Sequence, residues 1–284
     1  MTIMRTIPGR ARGFTLVEMV VVIVITAIIA GMIGAFLRWP VNAYFDTERR
    51  ARLTEAADTA LRRIARELHT ALPNSVRVVA VGATTYLEFI PTVGGGRYRN
   101  YSTAAGGGNP LDFSTADTGF DVIGPVPVYT PGMSVAIFNL GPGTIADAYA
   151  GTNRVAVTSG NNAMPGAPAV FSTDAAPHTV SFPAKQFPAA SPASLFQIVT
   201  TPVTYACTPG GSLVRYEGYA FSAAQPTPPG GTPTTLVANV SACTIAYDPV
   251  VQRVRTALVT LALDLSEQGE TLRMVHQMHV MNTP

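Results

Sequence analysis

From Phe14 to Phe36 the chain runs through 23 residues with a single ionisable side chain, Glu18. At about 1.5 Å of rise per residue this is roughly 34 Å of helix, enough to cross a hydrocarbon core of about 30 Å. The run therefore predicts a membrane-spanning helix. Within it Ala27/Gly31 and Ala30/Gly34 set small side chains four residues apart, which suits close helix packing in lipid and equally matches the ordinary abundance of glycine in spans. Beyond it the apolar period becomes that of an amphipathic helix: Leu53, Ala57, Ala60, Leu61, Ile64, Leu68 and Leu72 recur at threes and fours. Most charges fall off this stripe, with Asp58/Arg62 and Arg63/Glu67 at pairing distance. Pro73 predicts a stop at Leu72, and Pro40 predicts a kink or local loosening. The expected helix runs from Phe14 to Leu72, about 88 Å if straight.

After Pro73 the period falls to two. Val76–Val81 and Thr85–Ile90 read as strands joined at Gly82-Ala83-Thr84. Residues 109–193 are poor in charge and rich in Gly, Pro, Ala, Asn and Thr. They offer only short strands at Ser134–Asn139, Arg154–Thr158 and Thr179–Phe182, separated by long loops that are either decorated or binding surface. Leu195–Val199, Val203–Cys207, Ser212–Phe221 and Thr235–Tyr247 are strand-rich, broken by Gln225–Pro233, which reads as an exposed loop. A final hairpin turns at Glu267–Glu270, with Ala257, Val259, Leu261, Leu263 and Leu265 on its buried face against Leu272, Met274, His276, Met278 and Val280. The predicted class is α+β: a long N-terminal helix, half transmembrane and half amphipathic, packed on an antiparallel β-sheet head with long loops. The expected segments are a basic leader (1–13), the membrane half of the helix (14–37), its amphipathic half (38–72) and the β-rich head (73–284).

Charge sets the expected topology. The leader holds Arg5, Arg10 and Arg12 and no apolar run, so it is expected to stay cytoplasmic while the head follows the helix outward. Arg38, Trp39 and Pro40 mark the outer membrane interface, Trp39 as an amphipathic anchor. Without the three leader arginines, Lys+Arg falls from 19 to 16 against 17 Asp+Glu, which gives no electrostatic case for wholesale nucleic-acid binding. In an oxidising compartment outside the cytoplasm, Cys207 and Cys243 are expected to form a disulfide, with two free buried thiols as the alternative. Closing that loop would stabilise the fold by about 4 kcal/mol.

Glu18 is the residue that carries candidate chemistry. A carboxylate within a span costs roughly 2.5–3.5 kcal/mol on insertion scales, so it calls for a partner. Gly13, then Phe14-Thr15-Leu16-Val17-Glu18, then an unbroken apolar helix resembles the type IV pilin and pseudopilin superfamily. The resemblance implies that a prepilin peptidase/N-methyltransferase cuts after Gly13 and methylates Phe14. It also implies that Glu18 meets the N-terminal ammonium of a neighbouring subunit. An ammonium and a carboxylate placed next to lipid are each costly alone and compensate each other when paired.

Short stretches along the rest of the chain are similar to the minor-pilin family of MSHA (mannose-sensitive haemagglutinin) pilus biogenesis protein O. They are Ala71–Arg77, Ala146–Gly151, Pro202–Cys207, Val240–Cys243 and His276–Val280. That similarity implies an inner-membrane precursor that joins a complex initiating or capping a pilus, with other minor and major pilins and the inner-membrane assembly platform as partners. Alternatives are a type II secretion pseudopilin and a tip subunit that binds a surface ligand or DNA. Met19 after the glutamate and the large head depart from typical pilins.

No catalytic residue, cofactor or metal is expected. The lone span charge is accounted for by assembly, and no nucleophile-base or paired-carboxylate spacing stands out. Asp112, Asp117, Asp121 and Asp147 are candidate calcium ligands without EF-hand spacing. His276 and His279, three apart on a strand, point to opposite faces; the first is expected to be a hydrogen-bonded core residue and the second to lie at the surface. Gly94–Tyr101, with Arg97, Tyr98, Arg99 and Tyr101 beside two glycine triplets, is read as a strand with glycine-rich flanks before a polyanion or base-stacking site.

Overall fold

A computed structural model describes residues 13–102, 106–158, 178–249 and 256–284, with the side chains of residues 37–42 outside that description. The chain divides into two compact units, Met1–Ala51 and Arg52–Pro284. Helix α1 (Leu16–Leu68) is followed by β1 (Arg77–Val81), β2 (Thr84–Phe89), β3 (Thr92–Tyr98), β4 (Asp117–Ile123), β5 (Ser134–Ile137), β6 (Arg154–Ala156) and β7 (His178–Lys185). Then come β8 (Leu195–Val199), β9 (Val203–Cys207), β10 (Gly211–Glu217), β11 (Thr232–Asp248), β12 (Thr256–Glu267) and β13 (Glu270–Met281).

The strands form two antiparallel sheets, one of seven strands in the order β1-β2-β9-β10-β11-β12-β13 and one of six in the order β6-β5-β8-β3-β4-β7. The α+β expectation holds, but the single sheet with long loops is corrected. The second sheet takes four of its strands from the charge-poor region 109–193. Of these β4 was not anticipated, because Asp117-Thr118-Gly119-Phe120-Asp121 lacks the apolar alternation of a half-buried strand. Its two aspartates accept hydrogen bonds from neighbouring segments, as shown below, and Phe120, with Val122 beyond it, is buried in the second core.

The amphipathic stripe does what its period predicts. Leu53, Ala57, Ala60, Leu61, Ile64 and Leu68 are buried against Leu87, Phe89, Val203, Tyr205, Leu213, Val259 and Leu261 of the seven-stranded sheet. A second core lies on the six-stranded sheet around Phe120, whose ring centroid is 5.0 Å from Phe196, 5.8 Å from Phe182 and 5.9 Å from Tyr98. Leu72, Ile90, Ala136, Ala148, Tyr149 and Val199 make a third cluster.

The helix ends at Leu68 and not at Leu72. The Leu72 N–H donates to the Ile90 carbonyl at 2.7 Å and the Thr92 N–H to the Thr70 carbonyl at 2.7 Å, and Ala71 bridges Pro91. These tertiary hydrogen bonds take residues 70–72 into an extended path before Pro73 is reached.

Gly94, Gly95 and Gly96 lie inside β3, not in a flank. A Cβ at Gly95 would sit 2.8 Å from the Phe196 carbonyl oxygen, and one at Gly96 3.0 Å from the Phe196 ring. The glycines therefore answer to close packing and not to flexibility. The Gln225–Pro233 segment is also more than an exposed loop: Pro229 is buried, Gln225 Nε2 donates to the Tyr86 carbonyl, and Thr232 and Pro233 open β11.

A buried polar group binds the neighbouring 218–224 strap. Arg77 pairs with Glu88 at 2.7 Å, donates to the carbonyls of Ser222 and Ala223, and lies 3.6 Å from the Tyr149 ring centroid. Tyr219 donates to Glu88, and Arg154 stacks on Phe221.

The hairpin of β12 and β13 pairs in unbroken register from Thr256↔Met281 to Glu267↔Glu270, as its alternation predicts. His279 is exposed as expected. His276 is half-buried opposite Leu261, and its imidazole makes no hydrogen bond among the described residues, which corrects the core reading.

Candidate functional site

At the N-terminal end Thr15 precedes the first helical residue. Its Oγ1 accepts the Glu18 backbone N–H at 3.3 Å, so Thr15 is the N-cap and Glu18 the third helical position. Thr15-Leu16-Val17-Glu18 has the spacing of a capping box. Thr15 was overlooked as a site residue, although that four-residue spacing is legible in the sequence. The cap holds Glu18 in the first turn, where the orphan N–H groups favour a negative charge.

Leu16–Phe36 is long and apolar enough to cross a membrane, and none of it is buried within the chain. Phe14 is 78% exposed and Leu16 82%. Gly13 lies just before this helix, and a Cβ built on it meets nothing within 4 Å. The fold gives no steric reason for a glycine there. The leader up to Arg12 lies outside the described residues, as do the side chains of the expected interface residues Arg38, Trp39 and Pro40; helix α1 is assigned across them.

Other candidates resolve into structural roles. Cys207 and Cys243 are disulfide-bonded across 36 positions, joining β9 to β11. Asp112 accepts from the Ser114 hydroxyl and N–H and from the Thr115 hydroxyl, and these hold its carboxyl at about 2. Asp117 accepts the Asp112 and Thr118 N–H groups, Asp121 the Asn109 N–H and Thr179 hydroxyl, and Asp147 the Gly143 and Tyr149 N–H groups. Asp112 and Asp117 thus hold one turn together, Asp121 ties β4 to Asn109 and Thr179, and Asp147 holds the 143–150 turn; no group of three metal-ligating side chains gathers among the described residues. In the basic-aromatic stretch Tyr98 and Arg99 are buried, Arg99 beside Asp121 at 3.4 Å, so only Arg97 and Tyr101 reach the surface.

The amphipathic end of α1 is locked by charge. Glu67 accepts from Arg63 at 3.1 Å and from Arg215 of β10 at 2.9 Å. Burial pushes the Glu67 carboxyl up, but the adjacent Tyr205 hydroxyl and the two guanidiniums outweigh it and leave the carboxyl below its ordinary range.

Residues 9–34 match the family model described as the prokaryotic N-terminal methylation motif. The match supports a type IV pilin-like protein. Neither a curated protein nor a solved structure matches the chain. The pilin-like motif covers the glycine, the capped first turn and most of the exposed apolar helix, and it points to a structural protein and not an enzyme. That apolar helix is consistent with a single-pass membrane anchor.

Proposed function

We propose that this pilin-like chain is a minor pilin of the MSHA or type IV pilus biogenesis type. Prepilin peptidase cleaves it after Gly13 and methylates Phe14, and Glu18 then pairs with the new N-terminus of a neighbouring subunit as the helix enters the assembly. The leader faces the cytoplasm, the disulfide-bonded head faces the periplasm, and the mature chain helps to start or cap a pilus at the cell surface. The observation that carries this reading is the conjunction within the matched motif: a glycine that the fold does not need, followed by a capped first turn that ends in the single acid of the exposed apolar helix. Its direct test is the intact mass and N-terminal peptide of the chain from cells that express the peptidase. The expected product begins at N-methylphenylalanine 14. A mature chain that still carries residues 1–13 in those cells would refute the processing step.

A further inference from the structure

β3 has β8 beside it from Thr92 to Arg97, but its ladder with β4 holds only Arg97↔Ile123 and Tyr98↔Val122. Past Ile123 the chain turns at Gly124, in the left-handed region at φ 94°, and crosses so close over Gly94 that a Cβ there would sit 2.9 Å from Pro127. This departure opens a cleft of about 410 Å³, a volume usual for small-ligand sites. Gly95 leaves part of its floor without a side chain, Ile123, Pro125 and Leu195 supply aliphatic walls, and Arg97 and Gln197 are the two polar side chains that line it. Neither polar group has a partner. The Arg97 guanidinium makes no ion pair or hydrogen bond among the described residues, and no acid lines the cleft. Asp121, two residues before Ile123 on the same face, is taken up by Arg99, Asn109 and Thr179. Gln197 Oε1 is buried with no hydrogen-bond partner among the described residues, a cost to the fold that a donor would remove.

We propose that this cleft binds the C-terminal residue of a peptide from another protein that ends in an aliphatic side chain. The carboxylate meets Arg97, the terminal amide N–H meets the Gln197 amide, and the side chain packs against Ile123, Pro125 and Leu195. A free guanidinium with no acid beside it calls for one negative group. The unpaired amide oxygen calls for a donor close to that group. Gln197 lies opposite Gly95 and Arg97 two residues along, so strand spacing sets their Cα atoms about 8 Å apart, within reach of the two ends of one terminal residue. Other anions fit less of this. A nucleobase finds no ring to stack on, because Phe196 buries its own in the second core. A polyanion finds one cation only. A sugar acid would press unpaired hydroxyls on three aliphatic walls, and a fatty acid brings no donor to Gln197. The site uses neither Gly13 nor Glu18, so it stands apart from the processing and assembly reading.

The test uses the full-length chain in detergent micelles. Its probe is a fluorescein-labelled hexapeptide of glycine and serine that ends in leucine with a free carboxylate. The anisotropy should rise saturably, and the same peptide with a C-terminal amide should bind about tenfold more weakly, the loss expected for one charge-assisted hydrogen bond. Arg97→Gln should weaken the free-acid probe by a similar factor of about ten. Ile123→Glu, which sets a carboxylate opposite Arg97 in the ladder, should weaken it at least as much. Both positions are exposed, and an unchanged urea midpoint with the Cys207–Cys243 bond intact shows that each variant folds. Absence of saturable binding to the folded parent would overturn the proposal. So would equal binding of the amide form, or undiminished binding to folded Arg97→Gln. Galacturonate or a nucleoside monophosphate that displaces the probe as well as the unlabelled peptide does would assign the cleft to another anion and overturn the peptide reading.

Discussion

Removing Arg77 tests how the strap and the first sheet are held together. In the intact chain its guanidinium meets a Glu88 side chain with no exposed surface, two strap carbonyls and the face of Tyr149. Arg77→Ala deletes all of these and leaves a carboxylate inside the fold with only the Tyr219 hydroxyl to answer it. Breaking a buried pair from one side costs about 3–5 kcal/mol, because the remaining charge is uncompensated. Burial already pushes the Glu88 carboxyl above its ordinary value, and Arg77 offsets only part of that. A carboxyl raised in the folded state binds its proton more tightly there than in the unfolded chain. Its contribution is therefore fully present below the unfolded value and is lost as pH rises through the folded one. Without Arg77 the folded value rises further, so the variant should regain stability on acidification over a wider window than the parent. Urea titrations of the full-length chain in detergent, followed by tyrosine circular dichroism at neutral and mildly acidic pH, measure both effects. Adding Glu88→Gln to Arg77→Ala should recover about 1–3 kcal/mol by removing the stranded charge. A loss under about 1 kcal/mol for Arg77→Ala, or no recovery in the double variant, would refute the account.

Three further outcomes follow from the geometry. Glu18→Ala should leave cleavage after Gly13 intact yet block or weaken incorporation into the filament; normal piliation in that variant, counted by electron microscopy, would remove the charge-pairing step. Gly95→Val places a branched side chain against the Phe196 carbonyl of the adjoining strand and should cost about 1–3 kcal/mol in the same urea assay, with an unchanged midpoint counting against the close-packing reading. Cys207→Ser opens the loop to Cys243 and should lower stability by about 4 kcal/mol, read as a lower denaturation midpoint relative to the oxidised parent.

The parts legible in the sequence are those whose cause is local. An apolar run with one acid, a stripe at threes and fours, and strict alternation from Ala257 to Leu265 each state their own burial. The structure keeps all three, from the exposed span to the helix stripe and the β12–β13 hairpin. The Thr15-x-x-Glu18 spacing was equally local, and the cap it predicts is present.

What only the tertiary structure decided depended on groups far apart in the chain. The helix stops at Leu68 because Thr70 and Leu72 exchange hydrogen bonds with residues 90–92, and that competition has no signature in the stretch around Pro73. β4 exists because Phe120 fills an aromatic core supplied by Tyr98, Phe182 and Phe196, while its aspartates accept the backbone N–H groups of Asn109 and Asp112 in the preceding segment. The three glycines of β3 are indistinguishable in sequence from a flexible linker, and the close approach of Phe196 makes them part of a sheet. Periodicity records which face of an element is buried, so the sequence by itself determined the anchor, the stripe and the hairpin. Division of the head into two sheets was settled by long-range pairing, where the backbone groups of distant strands find one another and local pattern carries no record of the partner.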